Sequence, residues 1–136
     1  MEMKKFLKKV AGSVALAFCL CLSVCTCFAE TKSFNFKVVN GSGTVGGGSA
    51  QKSDNEQYGY ITPTSVNNPG TAYGYICRSS NPTTRTGDMK LSQSTVNHTQ
   101  TAKYNRTADK GKQYTVMGYY ASGSTISMTI SGRFTP

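Results

Sequence analysis

The chain has little of what catalysis and metal binding require. Its 136 residues include one histidine, no tryptophan, and 6 acidic residues against 15 lysines and arginines. A catalytic triad or a zinc site would have to be assembled around His98, and no Gly-x-Ser-x-Gly segment is present. We therefore expect no catalytic residues, no metal site and no cofactor, and the sequence predicts a protein that is not an enzyme.

Cysteine is scarce in most of the chain. Four of the five cysteines precede residue 30, and only Cys77 follows it. Residues 30–136 therefore cannot form an intramolecular disulfide. Cys77 is predicted to behave as a small buried apolar residue, and the alternative is a nucleophilic pair with His98.

Helical periodicity is also missing after residue 30, since no window has the 3.6-residue apolar repeat of an amphipathic helix. Phe34, Phe36 and Val38 instead alternate with polar residues, which predicts a strand within 31–39. Similar runs bounded by Gly, Pro, Asn and Ser predict further strands at 57–62, 72–78, 89–96, 98–104, 113–121 and 124–131. About six to seven short strands indicate an all-β fold, either a small antiparallel β-sandwich (Ig-like) or a barrel.

Residues 40–50 are rich in glycine and are predicted to form a mobile loop. Gly41 to Gly46 matches the GxGxxG pattern of dinucleotide sites, but no helix is predicted to follow it, so a nucleotide cofactor is not expected. Asp54 to Glu56 lacks the spacing and the central glycine of a calcium loop, and it is predicted to be a polar turn.

The segment 113–131 predicts a β-hairpin. Ser122 and Gly123 separate two alternating runs and suit a two-residue turn. In that register Tyr119 faces Ile126 and Met117 faces Met128. One face of the hairpin is then mostly apolar, which favours this register over a one-residue slip.

A near-repeat of tyrosines provides the candidate binding residues. Tyr58 and Tyr60 lie in Tyr-Gly-Tyr-Ile, and Tyr73 and Tyr75 lie in a second copy 15 residues later. We interpret the copies as two strands joined by a loop, and leave open whether the strands are neighbours. The two tyrosines of each pair point to the same side, so these four residues are predicted to form an exposed aromatic face for glycan or protein. The alternative is ordinary packing of strand residues.

Residues 1–29 have the layout of a secretory signal peptide. A lysine-rich head precedes an uncharged, apolar run from Val10 to Phe28, and Cys27-Phe28-Ala29 is a small-x-small cleavage site before Glu30. The sequence predicts a helical signal peptide at 1–29, cleavage between Ala29 and Glu30, and one secreted β domain at 30–136. Membrane contact is expected only through the leader before cleavage. The alternatives are an uncleaved anchor and a lipid anchor at Cys25.

Positive charge dominates the remainder of the chain. Residues 30–136 hold 11 Lys and Arg against 5 Asp and Glu, a net charge of about +6. The basic residues are scattered singly, without the aromatic interleaving of a nucleic-acid site. We expect no nucleic-acid partner, and instead a cell-wall or anionic surface component, or a protein.

The basic leader, the Gly/Ser/Thr/Tyr-rich body and the closing Ser131-Gly-Arg-Phe-Thr-Pro136 resemble small exported proteins of Gram-positive bacteria. Some of these resemble lactococcin-type bacteriocins, which are secreted β-sandwich peptides. The absence of tryptophan and the greater length depart from the bacteriocin pattern. The resemblance implies an extracellular, non-enzymatic protein, with a cationic antimicrobial protein as the alternative.

Overall fold

The computed structural model describes residues 30–136, which form an all-β protein with nine strands in two antiparallel sheets. The predicted signal peptide at 1–29, its last residue Ala29 and the Cys25 alternative lie outside the described residues. The strands are β1 (Lys32–Val39), β2 (Val45–Gln51), β3 (Tyr58–Val66), β4 (Thr71–Arg78), β5 (Asn81–Arg85), β6 (Met89–Leu91), β7 (Gln100–Lys103), β8 (Gln113–Ser122) and β9 (Ser127–Thr135). A 3₁₀-helix at Gln93–Thr95 lies between β6 and β7, and no helix in residues 30–136 has the length and apolar character to cross a membrane.

Sheet A has the strand order β1-β9-β3-β7, and sheet B has the order β2-β8-β4-β5. Strand β4 pairs with both β5 and the short strand β6. Its first half pairs with β6, and its last two residues pair with β5. An isolated bridge between Thr86 and Tyr104 connects the two sheets on this side. The arrangement confirms the predicted all-β class and is consistent with a β-sandwich.

One apolar core lies between the sheets. The alternation predicted in β1 is confirmed, since Phe34, Phe36 and Val38 are buried while the residues between them are exposed. Ile130 on β9 and Val116 on β8 meet them in the same cluster. The core therefore draws on both sheets, as expected when each sheet buries one face.

The prediction of a mobile loop at residues 40–50 is wrong for its second half. Val45–Gln51 is β2, an edge strand that pairs with β8 and has a register shift between Gly46 and Gly48. Its glycines allow close contact with β1, because a Cβ on Gly47 would lie 2.5 Å from Cδ1 of Phe36. Composition suggested a flexible segment, whereas the small residues fit beneath bulky neighbours. Residues 81–85, where no strand was predicted, form β5, and together β2 and β5 raise the count from the predicted six to seven strands to nine.

The predicted hairpin of 113–131 is wrong as well. Its two strands are present, but β8 pairs with β2 and β4 in sheet B, while β9 pairs with β1 and β3 in sheet A. On β8 the core face is formed by Tyr114 and Val116, not by Met117 and Tyr119. Ile126, the predicted partner of Tyr119, is 78% exposed.

The domain contains a buried lysine that contacts two separate segments of the chain. Lys52, directly after β2, has 0% exposure. Its Nζ donates hydrogen bonds of 2.9 Å to Asp54 Oδ1 and of 2.9 Å to the main-chain oxygen of Pro136. The ammonium group also lies 5.6 Å from the ring centroid of Tyr104. These contacts connect the segment after β2 to the segment after β9.

Candidate functional site

The structure divides the four candidate tyrosines between the two sheets. Tyr58 and Tyr60 lie on β3 of sheet A, and Tyr73 and Tyr75 lie on β4 of sheet B. In both strands the alternate residues are buried in the core, so each pair faces outward from its own sheet. The near-repeat strands are therefore not neighbours, and the four tyrosines do not form a single face.

On sheet B, strand β8 places two further side chains beside the β4 pair. The register puts Met117 opposite Tyr75 and Tyr119 opposite Tyr73. The ring centroids of Tyr73 and Tyr119 are 5.9 Å apart, within the range of favourable aromatic pairs. Sequence reasoning missed Tyr119 because the hairpin interpretation paired it with Ile126.

Arg85, at the end of β5, packs against the ring of Tyr75. Its guanidinium carbon lies 3.5 Å from the ring centroid of Tyr75, a stacked cation–π contact. Arg85 Nη2 also donates to Asp88 Oδ1, and the second carboxylate oxygen of Asp88 accepts a 2.9 Å hydrogen bond from Tyr119 Oη. Asp88 thus connects Arg85 to Tyr119 and fixes both side chains.

We call these six residues the sheet-B tyrosine cluster: Tyr73, Tyr75, Met117, Tyr119, Arg85 and Asp88. Its tyrosine rings are half-buried, so each ring is held by its neighbours and still offers surface to solvent. Burial and, to a smaller extent, the hydrogen bond to Asp88 raise the pKa of Tyr119. Its hydroxyl therefore stays protonated at neutral pH. Tyrosine, arginine and methionine are enriched where proteins bind partners. The cluster therefore has a composition that is typical of binding surfaces.

The sheet-A pair has a different environment. Tyr60 Oη donates a hydrogen bond to Glu56 Oε1, and this contact raises the pKa of Tyr60 to about 12. Its neighbours across the sheet are Thr135 and Thr101, so no second ring supports it. Tyr58 is 42% exposed and faces Lys103 across the strands. This pair forms no aromatic platform.

The prediction that Cys77 is buried is confirmed, since it has 4% exposure. Burial raises the pKa of its thiol, which favours the un-ionised form, whereas nucleophilic cysteines have a lowered pKa. His98 is exposed in the loop before β7, a strand of sheet A, whereas Cys77 lies on β4 of sheet B. The structure therefore gives no support to a catalytic Cys77–His98 pair.

Asp54 to Glu56 is an irregular segment in which the Asp54 carboxylate accepts from Lys52 Nζ and from the Glu56 amide. Both contacts are internal to the protein, as in the predicted polar turn. Within residues 30–136 there is no group of three or more His, Cys, Asp and Glu side chains that could hold a metal ion.

No protein-family model matches the chain, and no curated protein sequence matches it.

Proposed function

We propose that the chain is an exported β-sandwich protein that binds cell-wall glycan through the sheet-B tyrosine cluster and catalyses no reaction. The observation that carries this proposal is the pair of ring contacts on one outer face, the tilted pair of Tyr73 with Tyr119 and the cation–π contact of Tyr75 with Arg85. Sugar rings present apolar faces and polar edges. Tyrosine rings match the faces, while Arg85 and Asp88 can hydrogen-bond to hydroxyl groups.

Rigidity supports the proposal. Binding costs less when the contacting side chains are already ordered. Two strand neighbours, a carboxylate and a guanidinium hold the rings of the cluster before any ligand arrives.

The division of the tyrosines provides a matched experiment. Retention of the purified protein on insoluble peptidoglycan is compared for wild type, Tyr73→Ala/Tyr119→Ala and Tyr58→Ala/Tyr60→Ala. Loss of two anchor rings should weaken retention about tenfold or more, while the sheet-A pair should leave it within about twofold. Circular dichroism checks that both variants fold. Equal losses in the two variants, or no retention of the wild type, would contradict the proposal.

Export is a separate part of the proposal and has its own test. We infer that cleavage between Ala29 and Glu30 removes residues 1–29 during secretion. Amino-terminal sequencing of the protein from culture medium should begin at Glu30. A soluble precursor that keeps its leader inside the cell would show that this part is wrong.

The second candidate is a bacteriocin-like cationic protein that acts on neighbouring cells. The excess of basic over acidic residues in 30–136 favours it, because positive charge attracts anionic cell surfaces. Under this alternative, the purified chain from Glu30 to Pro136 should inhibit growth of related bacteria on plates. Intact lawns over a range of doses favour the binding protein.

A further inference from the structure

Most basic residues in the strands of sheet B pair with a carboxylate, with Lys90 as the exception, whereas most in the strands of sheet A do not, with Lys32 as the exception. On sheet B, Arg85 pairs with Asp88, and Arg78 pairs with Asp109 through a contact of 2.9 Å. On sheet A, the exposed residues Lys37, Arg133 and Lys103 have no ion pair with any described residue. Strands β1, β9, β3 and β7 contain no acidic residue at all. The charges of these three residues are therefore not neutralised by an ion pair, although two carboxylates lie beside the sheet: Glu30, which pairs with Lys32, and Glu56, which is bound to Tyr60.

Register places these three residues on a diagonal line across the sheet. Lys37 on β1 is opposite Thr129, and Arg133 lies four residues further along β9, opposite Thr62 on β3. Lys103 on β7 is opposite Tyr58, four residues further along β3 in the same direction. With ~3.4 Å per residue and ~4.8 Å between strands, successive cations are about 14 and 17 Å apart. We call this line the sheet-A cationic diagonal.

Hydroxyl and amide groups fill the surface between the cations. Thr62 and Thr99 are in contact through their hydroxyls at 2.9 Å, and Asn35 donates to the Ser131 hydroxyl at 2.7 Å. A pair of threonine hydroxyls uses one of its two hydrogens internally and leaves the other for a ligand oxygen. The surface thus combines separated positive charges with neutral hydrogen-bonding groups, and Glu56 adds one carboxylate at Tyr60.

We propose that the sheet-A cationic diagonal binds a linear polyol phosphate polymer, a second ligand distinct from the one assigned to sheet B. Phosphate diesters pair with Lys and with the planar Arg fork, and the polyol segments can hydrogen-bond to the threonines and serines between them. Single-stranded nucleic acid fits less well, because it needs a series of exposed stacking rings, and here Tyr60 is bound to Glu56, which leaves Tyr58 as the one exposed ring in the strands of sheet A. A membrane surface also fits less well, because Tyr58 is the one large apolar side chain that is exposed in the four strands of this sheet, which is too little for insertion.

The test measures binding of fluorescent poly(glycerol phosphate) to the purified protein. The variant Lys37→Gln/Lys103→Gln/Arg133→Gln should bind at least tenfold more weakly than wild type. The matched control Lys90→Gln/Lys110→Gln/Lys112→Gln loses the same charge at exposed positions outside the diagonal, and should stay within twofold. Equal losses in the two variants would overturn the proposal, because net charge alone would then account for binding.

Salt dependence and competing ligands sharpen the result. Three phosphate contacts give a slope of log affinity against log salt of about −2 for a flexible strand, and the diagonal variant should have a slope near zero. Stronger binding to single-stranded DNA, hyaluronate or phosphatidylglycerol vesicles would overturn the choice of ligand. Tyr73→Ala/Tyr119→Ala should bind the polymer normally, so failure on one sheet is distinguishable from failure on the other.

Discussion

Asp54 accepts a hydrogen bond from Lys52, two residues away, and the two partners differ in exposure: the lysine side chain has 0% and the aspartate 28%. This asymmetry predicts that the two partners are not equivalent for stability. Asp54→Asn leaves a fully buried ammonium group without its counter-ion and should cost about 2–4 kcal/mol of unfolding free energy. Lys52→Met leaves a carboxylate that water can still reach, so it should cost about 1–2 kcal/mol. Urea denaturation followed by circular dichroism measures both, and a larger loss in Lys52→Met would contradict the explanation.

Gly118 on β8 is predicted to be intolerant of a side chain. A Cβ at this position would lie 2.4 Å from Cζ of Phe36, within the core between the sheets. Gly118→Ala should lower the unfolding free energy by about 1–3 kcal/mol through overpacking. Phe36→Leu in the same chain should recover part of that loss.

Gly43, in the loop before β2, serves as the control, because a Cβ there would meet nothing within 4 Å. Gly43→Ala should change the free energy by no more than about 0.5 kcal/mol. Similar losses at Gly43 and Gly118 would show that steric contact with Phe36 is not the cause.

The contact between Tyr60 and Glu56 predicts a pH effect. The hydrogen bond raises the folded-state pKa of Tyr60 from 10.0 to about 12. A raised pKa adds stability that is present in full below pH 10.0, and this contribution should be lost as the pH rises through 12. Glu56→Gln removes the carboxylate and should bring the titration of Tyr60 back towards its ordinary range. Ultraviolet tyrosinate absorbance of wild type and variant tests this, and identical titrations would contradict it.

Cys77 is predicted to be unreactive in the folded protein. Its 4% exposure and raised pKa disfavour attack by the thiolate on a disulfide reagent. The chain from Glu30 to Pro136 should react slowly with an aromatic disulfide under native conditions and rapidly in denaturant, with Cys77→Ser as the blank. Fast native labelling would show that the site opens readily.

Local patterns in the sequence predicted most strands, because alternation such as Phe34, Phe36 and Val38 depends on short-range burial. Strand partners could not be predicted, since pairing depends on contacts between distant segments. Tyr119 illustrates the limit: its alternation marked a strand, but its neighbour Tyr73 comes from a strand in another part of the chain. The glycines of β2 illustrate a second limit, because only the position of Phe36 shows why small residues are needed there.

The sequence predicted two of the six residues of the sheet-B tyrosine cluster. Tyr73 and Tyr75 lie in the sheet-B tyrosine cluster, while Tyr58 and Tyr60 lie on the opposite face. Nothing local in the sequence placed the other four residues in this cluster: cross-strand register brings Tyr119, Met117 and Arg85 to β4, and hydrogen bonds to Arg85 and Tyr119 bring Asp88 there.

The central place of β9 in sheet A constrains when the protein can fold during synthesis. β9 lies between β1 and β3, and its partner contacts include Asn35 with Ser131, 96 positions apart. At translation rates of ~5–20 residues per second, roughly 5–20 s separate the synthesis of β1 from the synthesis of β9. Throughout that interval Phe34 and Phe36 have no completed sheet to cover them. The nascent chain is therefore open to chaperones and proteases until its last strand emerges.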